Sequence, residues 1–560
     1  MVPRGYGADE SVGVLSFAVM GDDAVKKIWK YVLVLCMTMV LSVGCMGEAV
    51  ASDVGRGKKI VFIPLDNRPI TDRQTREVVS KLGYDVVVPP EHLLGTREQP
   101  GDPDGLWAWL GEHAAGADAA VLSADAMLYG SLVASRNHVW PEDVVAGRVQ
   151  NFRELHERFP RLPVYVFSTV LRTLLSANHS GAGMEPEEYQ RNAVGIYNYS
   201  VLRDKLDMGL IAKERGEREL AELQRGISPV ALEAWEAHHR VNYKANTLLV
   251  DLVRQGILSF LFVGGDDGAP FCQTHYELRH LREYGRDLGK TQFQVTSGAD
   301  ELAMVMLCRA VTDNLGDIPF VYAAYNEGRG RKTIPSYCLD EIGTDVDGII
   351  TAAGGMQIPS PERAEFVLAI NTNPDGKTGM APSPSNSTRP REGTLPFLSM
   401  VKGFVEKGYP VGIGDIAYAN GADNALMEQL RKEDLQFRIR AYGGWNTATN
   451  SVGFLIGTGL LSKWMDKKDA DELMLTRYLD EWAYQAHVRQ RIGAALPFLA
   501  GDAAPGSPDL DGKRAAAAEQ GSVWMREFAR EHIRLPRGLS LENLRISHPW
   551  NRLFECDILF

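Results

Sequence analysis

Two pairs of adjacent carboxylates stand out by type and position. Asp266-Asp267 follows the apolar run 258–263 through Gly264-Gly265, and glycines there let the chain turn tightly and bring its backbone close to a ligand. Asp300-Glu301 follows Phe293-Gln294-Val295 in the same way, through Ser297-Gly298-Ala299. Neighbouring carboxylates repel, so one of a pair tends to hold its proton and serve as an acid while the other stays ionised. That is the chemistry of general acid/base hydrolysis, and Asp266 and Asp267 are the expected catalytic pair. The competing reading makes each pair a helix start with acids placed for the dipole. It weighs most on Asp300-Glu301, because a helical pattern begins at Leu302.

Further polar groups recur at comparable places. Asp66-Asn67-Arg68 ends the run 60–65, Asp125 follows 119–123, Arg172 follows 164–167, and Asn326-Glu327 follows 320–324. Asp66 and Asp125 could accept hydrogen bonds from sugar-type hydroxyls, and Arg68 and Arg172 could hold an anionic group. Gly443-Gly444-Trp445-Asn446-Thr447-Ala448-Thr449-Asn450 adds a flat ring and two amides. Trp445 with Asn446 and Asn450 would suit a neutral polyol, although a Trp filling the core under Asn caps would look the same in sequence. All of these residues, together with Asp300 and Glu301, are expected to bind substrate.

Other chemistries are not supported. Gly328-Arg329-Gly330-Arg331-Lys332-Thr333 has the wrong spacing for a phosphate loop, no GxGxxG follows a strand, and there is no GxSxG. The 12 histidines are scattered, with His275 and His280 five apart and His238-His239 adjacent, so no zinc spacing appears and neither a metal nor a cofactor is expected. With 72 acidic against 60 basic residues, a net charge of −12 and no basic cluster, nucleic acid is not an expected partner.

The elements that must position these groups are short apolar runs without alternation, the mark of strands buried on both faces. Helical stretches between them imply parallel βα units, whose strand carboxyl ends build the site whether the sheet is closed or open. The expected fold is α/β: a barrel-like or open parallel unit over 52–315 with a helical insertion at 185–256, and a smaller doubly wound unit over 316–465. A helical region over 466–560 completes the chain. In the insertion, Ser228-Pro229 opens a helix and Val230, Trp235, Val241, Ala245, Leu248, Leu249 and Leu252 form a stripe. Gly348–Thr351, Phe366–Ile370, Pro410–Ile413 and Phe437–Tyr442 read as strands of the second unit, with helices near 395–407 and 421–432. The Pro- and Ser-rich residues 374–396 read as a lid or a flexible insertion. Four cysteines after residue 51, widely spaced among 560 residues, read as isolated buried thiols.

Residues 1–51 read as an upstream extension and a secretory signal. Lys26, Lys27 and Lys30 precede an apolar run from Tyr31 to Val43, and Ala49-Val50-Ala51 makes a small-x-small cleavage site before Ser52. Met20 is a plausible true start. The chain is therefore expected to be exported, to the extracellular space or the cell envelope. A membrane anchor enters only if Cys45 is lipidated, since the apolar run is short of the roughly 20 residues a span needs.

Six motifs together resemble the DUF4127 family of bacterial proteins of unknown function. They are PLDNRP at 64–69, SADAMLYGSLVASR at 123–136, GGDDGAP at 264–270, SGADE at 297–301, GGWNTATNSVG at 443–453 and PWNRLFE at 549–555. The resemblance spans nearly the whole chain after residue 51 and implies no activity. From the residues themselves, the first expectation is an exported carbohydrate-active enzyme, a glycoside hydrolase acting on a small-molecule or glycan substrate with paired carboxylates at strand ends. A metal-dependent amide or phosphoester hydrolase is the runner-up. A non-catalytic sugar-binding protein of the cell envelope is the third.

Overall fold

The computed structural model describes residues 53–175, 185–501 and 510–560. The expected signal, its cleavage site and Cys45 lie outside the described residues. The apolar runs become β1 (Lys59–Ile63), β2 (Asp85–Val87), β3 (Ala119–Ser123), β4 (Val164–Val170), β5 (Phe260–Gly265) and β6 (Phe293–Ser297). They form one six-stranded sheet in the order β2-β1-β3-β4-β5-β6, and every pairing is parallel. Every residue of β3, β4 and β5 is buried, as runs covered by helices on both faces must be. β2 and β6 are its two edges, so the sheet is open and not a barrel.

A second parallel sheet follows: β7 (Phe320–Tyr325), β8 (Met356–Gln357), β9 (Phe366–Asn371), then, beyond the short β10 (Gly379–Met380), β11 (Val411–Asp415), the short β12 (Tyr418–Ala419) and β13 (Ala441–Gly443). Its order is β13-β11-β9-β7-β8, while β10 and β12 pair only with each other. In both sheets the second strand lies outside the first and the chain then crosses back to the other side, the doubly wound pattern. Each sheet therefore has a switch point where loops leave in opposite directions.

Two helices fill the space between the sheets. Leu302–Leu315 is buried except at Arg309 and over its last three residues, and all residues of Ala448–Leu461 are buried, as expected of helices with little or no solvent face. They pack against each other: a Cβ at Gly453 would meet Glu301 Cγ at 2.3 Å, so only glycine permits this approach. The chain from Asp53 to Phe560 clusters as one unit.

The insertion is helical as expected, with helices Glu187–Asp207, Lys213–Arg225 and Pro229–Arg254. Ser228 Oγ accepts from Ala231 N–H at 3.4 Å and caps the last of them. Val230, counted in its apolar stripe, is 70% exposed in the first turn, before the helix meets its neighbours. Gly348–Thr351 is not a strand but part of the helix Ile342–Ala352. Ile342, Val346, Ile349 and Ile350 supply its buried face, and the local Gly-Ile-Ile-Thr run hides that longer period. Of Phe437–Tyr442 only the end belongs to a strand. The helices Thr394–Glu406 and Asn424–Lys432 fall where expected.

Beyond residue 466 come helices Lys467–Arg477, Arg489–Ala495 and Arg514–His532, with a π-helix over Tyr478–Val488. An antiparallel pair, β14 (Arg545–Ser547) and β15 (Asp557–Leu559), ends the chain. Cys272, Cys308, Cys338 and Cys556 are buried free thiols. No helix among the described residues is long and apolar enough to cross a membrane.

Candidate active site

The carboxyl ends of β1, β4, β5 and β6, the helix Leu132–Asn137 that follows β3, the loop after β13 and the segment between β14 and β15 converge on one polar cavity of about 80 Å³. Three ion-paired arms form its walls. In the first, Arg136 closes Leu132–Asn137 and donates from Nε and Nη2 to the two oxygens of Asp266, each at 2.8 Å. In the second, Arg68 Nη2 bridges Asp66 Oδ2 at 2.8 Å and Asp300 Oδ1 at 2.7 Å. In the third, Arg172 Nε donates to Glu185 Oε1 at 2.5 Å, and its Nη1 lies 3.4 Å from Asp267 Oδ2.

The loop after β13 and the first turn of Ala448–Leu461 lock the Asp300 arm. Asn446 Nδ2 donates to Asp300 Oδ2 at 3.1 Å, and Asn450 Oδ1 accepts from Ala299 N–H at 3.0 Å and Asp300 N–H at 3.3 Å. The turn it grips needs Gly298 at φ 99°, where a Cβ would lie 2.5 Å from both Glu301 Oε1 and Thr449 Oγ1. The C-terminal segment supplies the lid of the cavity. Trp550 lies 5.0 Å from the Arg68 guanidinium and 5.2 Å from that of Arg552, within cation–π range, and its Nε1 donates to Asn67 Oδ1 at 2.7 Å.

Asp267 differs from its neighbours. Its backbone is left-handed, with φ 34°, a conformation that Asp tolerates at a cost and that clusters at functional sites. Its side chain is 29% exposed, against 5% for Asp266 and 8% for Asp300. Of the three carboxylates lining the cavity, it is the one that a ligand reaches most readily. Burial raises the pKa of Asp300; the Arg68 charge opposes this, and Asp66 and Asp266 reinforce it. Beneath the cavity, burial pushes Asp125 up to about 7 despite a 2.7 Å hydrogen bond from Thr169 Oγ1.

Seven of the residues expected from sequence line this cavity: Arg68, Arg172, Asp266, Asp267, Asp300, Asn446 and Asn450. Asp66 supports Arg68 from below and Asn67 holds Trp550. Asp125 is fully buried. Glu301 points into the contact between the two central helices, where neither carboxyl oxygen has a partner and burial raises its pKa well above the usual value. Trp445 packs in the hydrophobic core and offers no stacking face. Asn326 and Glu327 stand at the second sheet, where Asn326 Nδ2 donates to Asn371 Oδ1 at 3.1 Å.

Sequence reasoning singled out neither Arg136 nor Trp550 and Arg552 as site residues, although all three line the cavity. Their signal was present. Arg136 ends the dense stretch 123–136, and Trp550 and Arg552 lie in a polar, aromatic run at 549–555 that has neither helical nor strand period.

The charges do not favour an anion. Four guanidiniums, Arg68, Arg136, Arg172 and Arg552, are met by six carboxylates: Asp66, Asp266, Asp267, Asp300, Glu185 and Glu555. What remains is a ring of planar hydrogen-bonding groups with an indole beside them, suited to a ligand that both donates and accepts. Comparison with curated proteins and with solved structures finds no match. A family model matches residues 60–559, and the chain accordingly belongs to DUF4127, a family described as protein of unknown function.

Proposed function

We propose that the protein is an exported carbohydrate-active hydrolase of the glycosidase type, with its reaction centred on Asp267 and Asp300. The observation that carries this reading is Asp267: a strained, accessible carboxylate opening into a cavity whose polar walls are planar, mutually braced groups, with Leu132, Val133 and Phe554 beside them. Both oxygens of Asp266 are held by Arg136, so Asp266 braces the pair and Asp267 is its reacting member. Asp300, with its raised pKa, suits proton donation to a departing glycosidic oxygen, while Asp267 assists the attack of water on the sugar carbon. Asn446, Asn450 and the guanidiniums would hold ring hydroxyls, and Trp550 would support them from the side. Export rests on the basic, apolar and Ala-Val-Ala series before Ser52.

The deciding experiment is a turnover screen of the mature protein on cell-wall and polysaccharide fragments, with and without a chelator. Release of reducing ends that survives chelation and disappears in Asp267→Asn supports the reading. Turnover abolished by the chelator favours a metal-dependent hydrolase, and tight sugar binding without turnover favours a non-catalytic binder.

A further inference from the structure

A second cleft of about 470 Å³ lies in the helical insertion, formed with the helix Gln273–Tyr284 that follows the Asp266-Asp267 loop. Trp235, His239 and Tyr243 occur every fourth residue along Pro229–Arg254 and so share one face. Opposite them, Gln273, Tyr276, Glu277 and His280 form one face of Gln273–Tyr284.

The floor is a buried, ordered chain. Gln273 Nε2 donates to Glu277 Oε1 at 2.8 Å, and His239 Nδ1 lies 3.0 Å from Glu277 Oε2 and 3.1 Å from Oε1. The carboxylate therefore occupies Nδ1 of His239 and leaves Nε2 as the ring nitrogen open to a ligand. By the same logic Gln273 presents its Oε1, which is buried without a partner, as is Trp235 Nε1. Gln273 and Trp235 are each less than 5% exposed, and buried polar atoms without partners call for an explanation. Tyr243 adds a half-buried ring whose hydroxyl, pushed up to about 12 by burial and by Glu277, stays a donor. At the rim Arg203 lies 3.8 Å from Glu236, so the edge carries balanced charge.

Donors and acceptors set around an aromatic face, with no excess charge, match a neutral hydroxylated ring. We propose that this cleft is a second binding site of the protein, one that holds a saccharide unit between the two helices. Tyr243 stacks on the ring, and His239 Nε2 hydrogen-bonds a ring hydroxyl. The choice of a saccharide rests on the hydrolase reading; the existence of a site rests on the cleft itself. Its role would be to retain a glycan on the protein while the first cavity acts on it, from a helix that begins six residues after Asp267.

The test titrates the full mature chain carrying Asp267→Asn, so that turnover does not consume the probe, with cellobiose, xylobiose and diacetylchitobiose. Binding is followed by calorimetry and by tryptophan fluorescence. Saturable binding of at least one disaccharide is expected, weakened about tenfold by Tyr243→Ala and by His239→Gln, the scale of one lost hydrogen bond or ring contact. Thermal midpoints check folding, and half-buried Tyr243 serves if His239→Gln destabilises the protein. No saturable binding, or binding that Tyr243→Ala leaves unchanged, overturns the proposal. Binding that is lost in Asn446→Ala but not in the cleft variants assigns the sugar to the first cavity; this sinks the second site and spares the hydrolase reading. Cleft-dependent binding together with no turnover by the unmodified protein does the reverse.

Discussion

Arg136 holds both oxygens of Asp266 at 2.8 Å, from a helix that follows β3 to the loop that follows β5. The pair is almost wholly buried, with side chains 7% and 5% exposed. It ties together two strand ends that are not neighbours in the sheet, and so fixes where the adjacent Asp267 can stand. A carboxylate whose two oxygens are both taken by one buried guanidinium is a brace, and this assigns the two members of the pair different work.

The brace has a measurable consequence. Arg136→Ala should leave a buried carboxylate without its paired guanidinium and cost about 3–5 kcal/mol of stability. Asp266→Asn, which keeps an acceptor for the guanidinium, should cost less. Equilibrium urea unfolding of both variants checks this, and equal, small losses would show that the pair does not hold the loop.

Asp267→Asn should behave in the opposite way. The amide matches the carboxylate in size and the side chain is partly exposed, so the thermal midpoint should barely move. The turnover rate should fall about a hundredfold or more, the usual cost of a lost general acid or base. Rate and midpoint measured side by side on the substrate found by the screen decide it; a lowered midpoint with an unchanged rate would make Asp267 a structural residue.

Asp300 makes a prediction about pH. Its raised pKa keeps the proton on the carboxyl to higher pH than an ordinary aspartate would. If it is the proton donor, activity is lost on the alkaline side as pH rises through that pKa. Asp300→Asn should lower kcat and remove this alkaline limb, and a pH–rate profile in which the limb persists would move the donor elsewhere.

Glu301 offers a test that does not depend on any substrate. Its folded pKa lies well above the usual value of 4.5 because burial disfavours the charge and the Asp300 and Asp345 charges add to this, outweighing a backbone hydrogen bond. Stability from the neutral carboxyl is fully present below about pH 4.5 and is lost as pH rises toward the folded value. Glu301→Gln carries no titrating group, so its midpoint relative to the unmodified protein should climb as pH rises above the usual value of 4.5. A difference that is flat with pH would mean that Glu301 does not titrate between the helices.

The parallel α/β plan, the helical insertion and the position of polar residues at strand ends were all legible along the chain. The reason is local: a strand buried on both faces needs an uninterrupted apolar run, and its end needs polar or glycine residues to turn. Where a short run sat inside a longer period, as at Gly348–Thr351, the local signal misled.

What the amino-acid sequence determined by itself was the set of groups after β1, β3, β4, β5, β6 and β13 that could do chemistry. Tertiary structure decided which of them meet. Asp300 is joined to Arg68 across 232 residues and to Asn446 across 146, and Trp550 reaches Asn67 across 483; no local pattern encodes such pairings. Trp445 and Trp550 look alike in sequence, each beside an Asn in a dense polar motif, yet one packs in the core and the other lines the cavity. Both indoles are buried, and which of them faces a cavity depends on how two sheets and a C-terminal segment pack together. That is a property of the assembled fold, because burial is set by elements far apart along the chain.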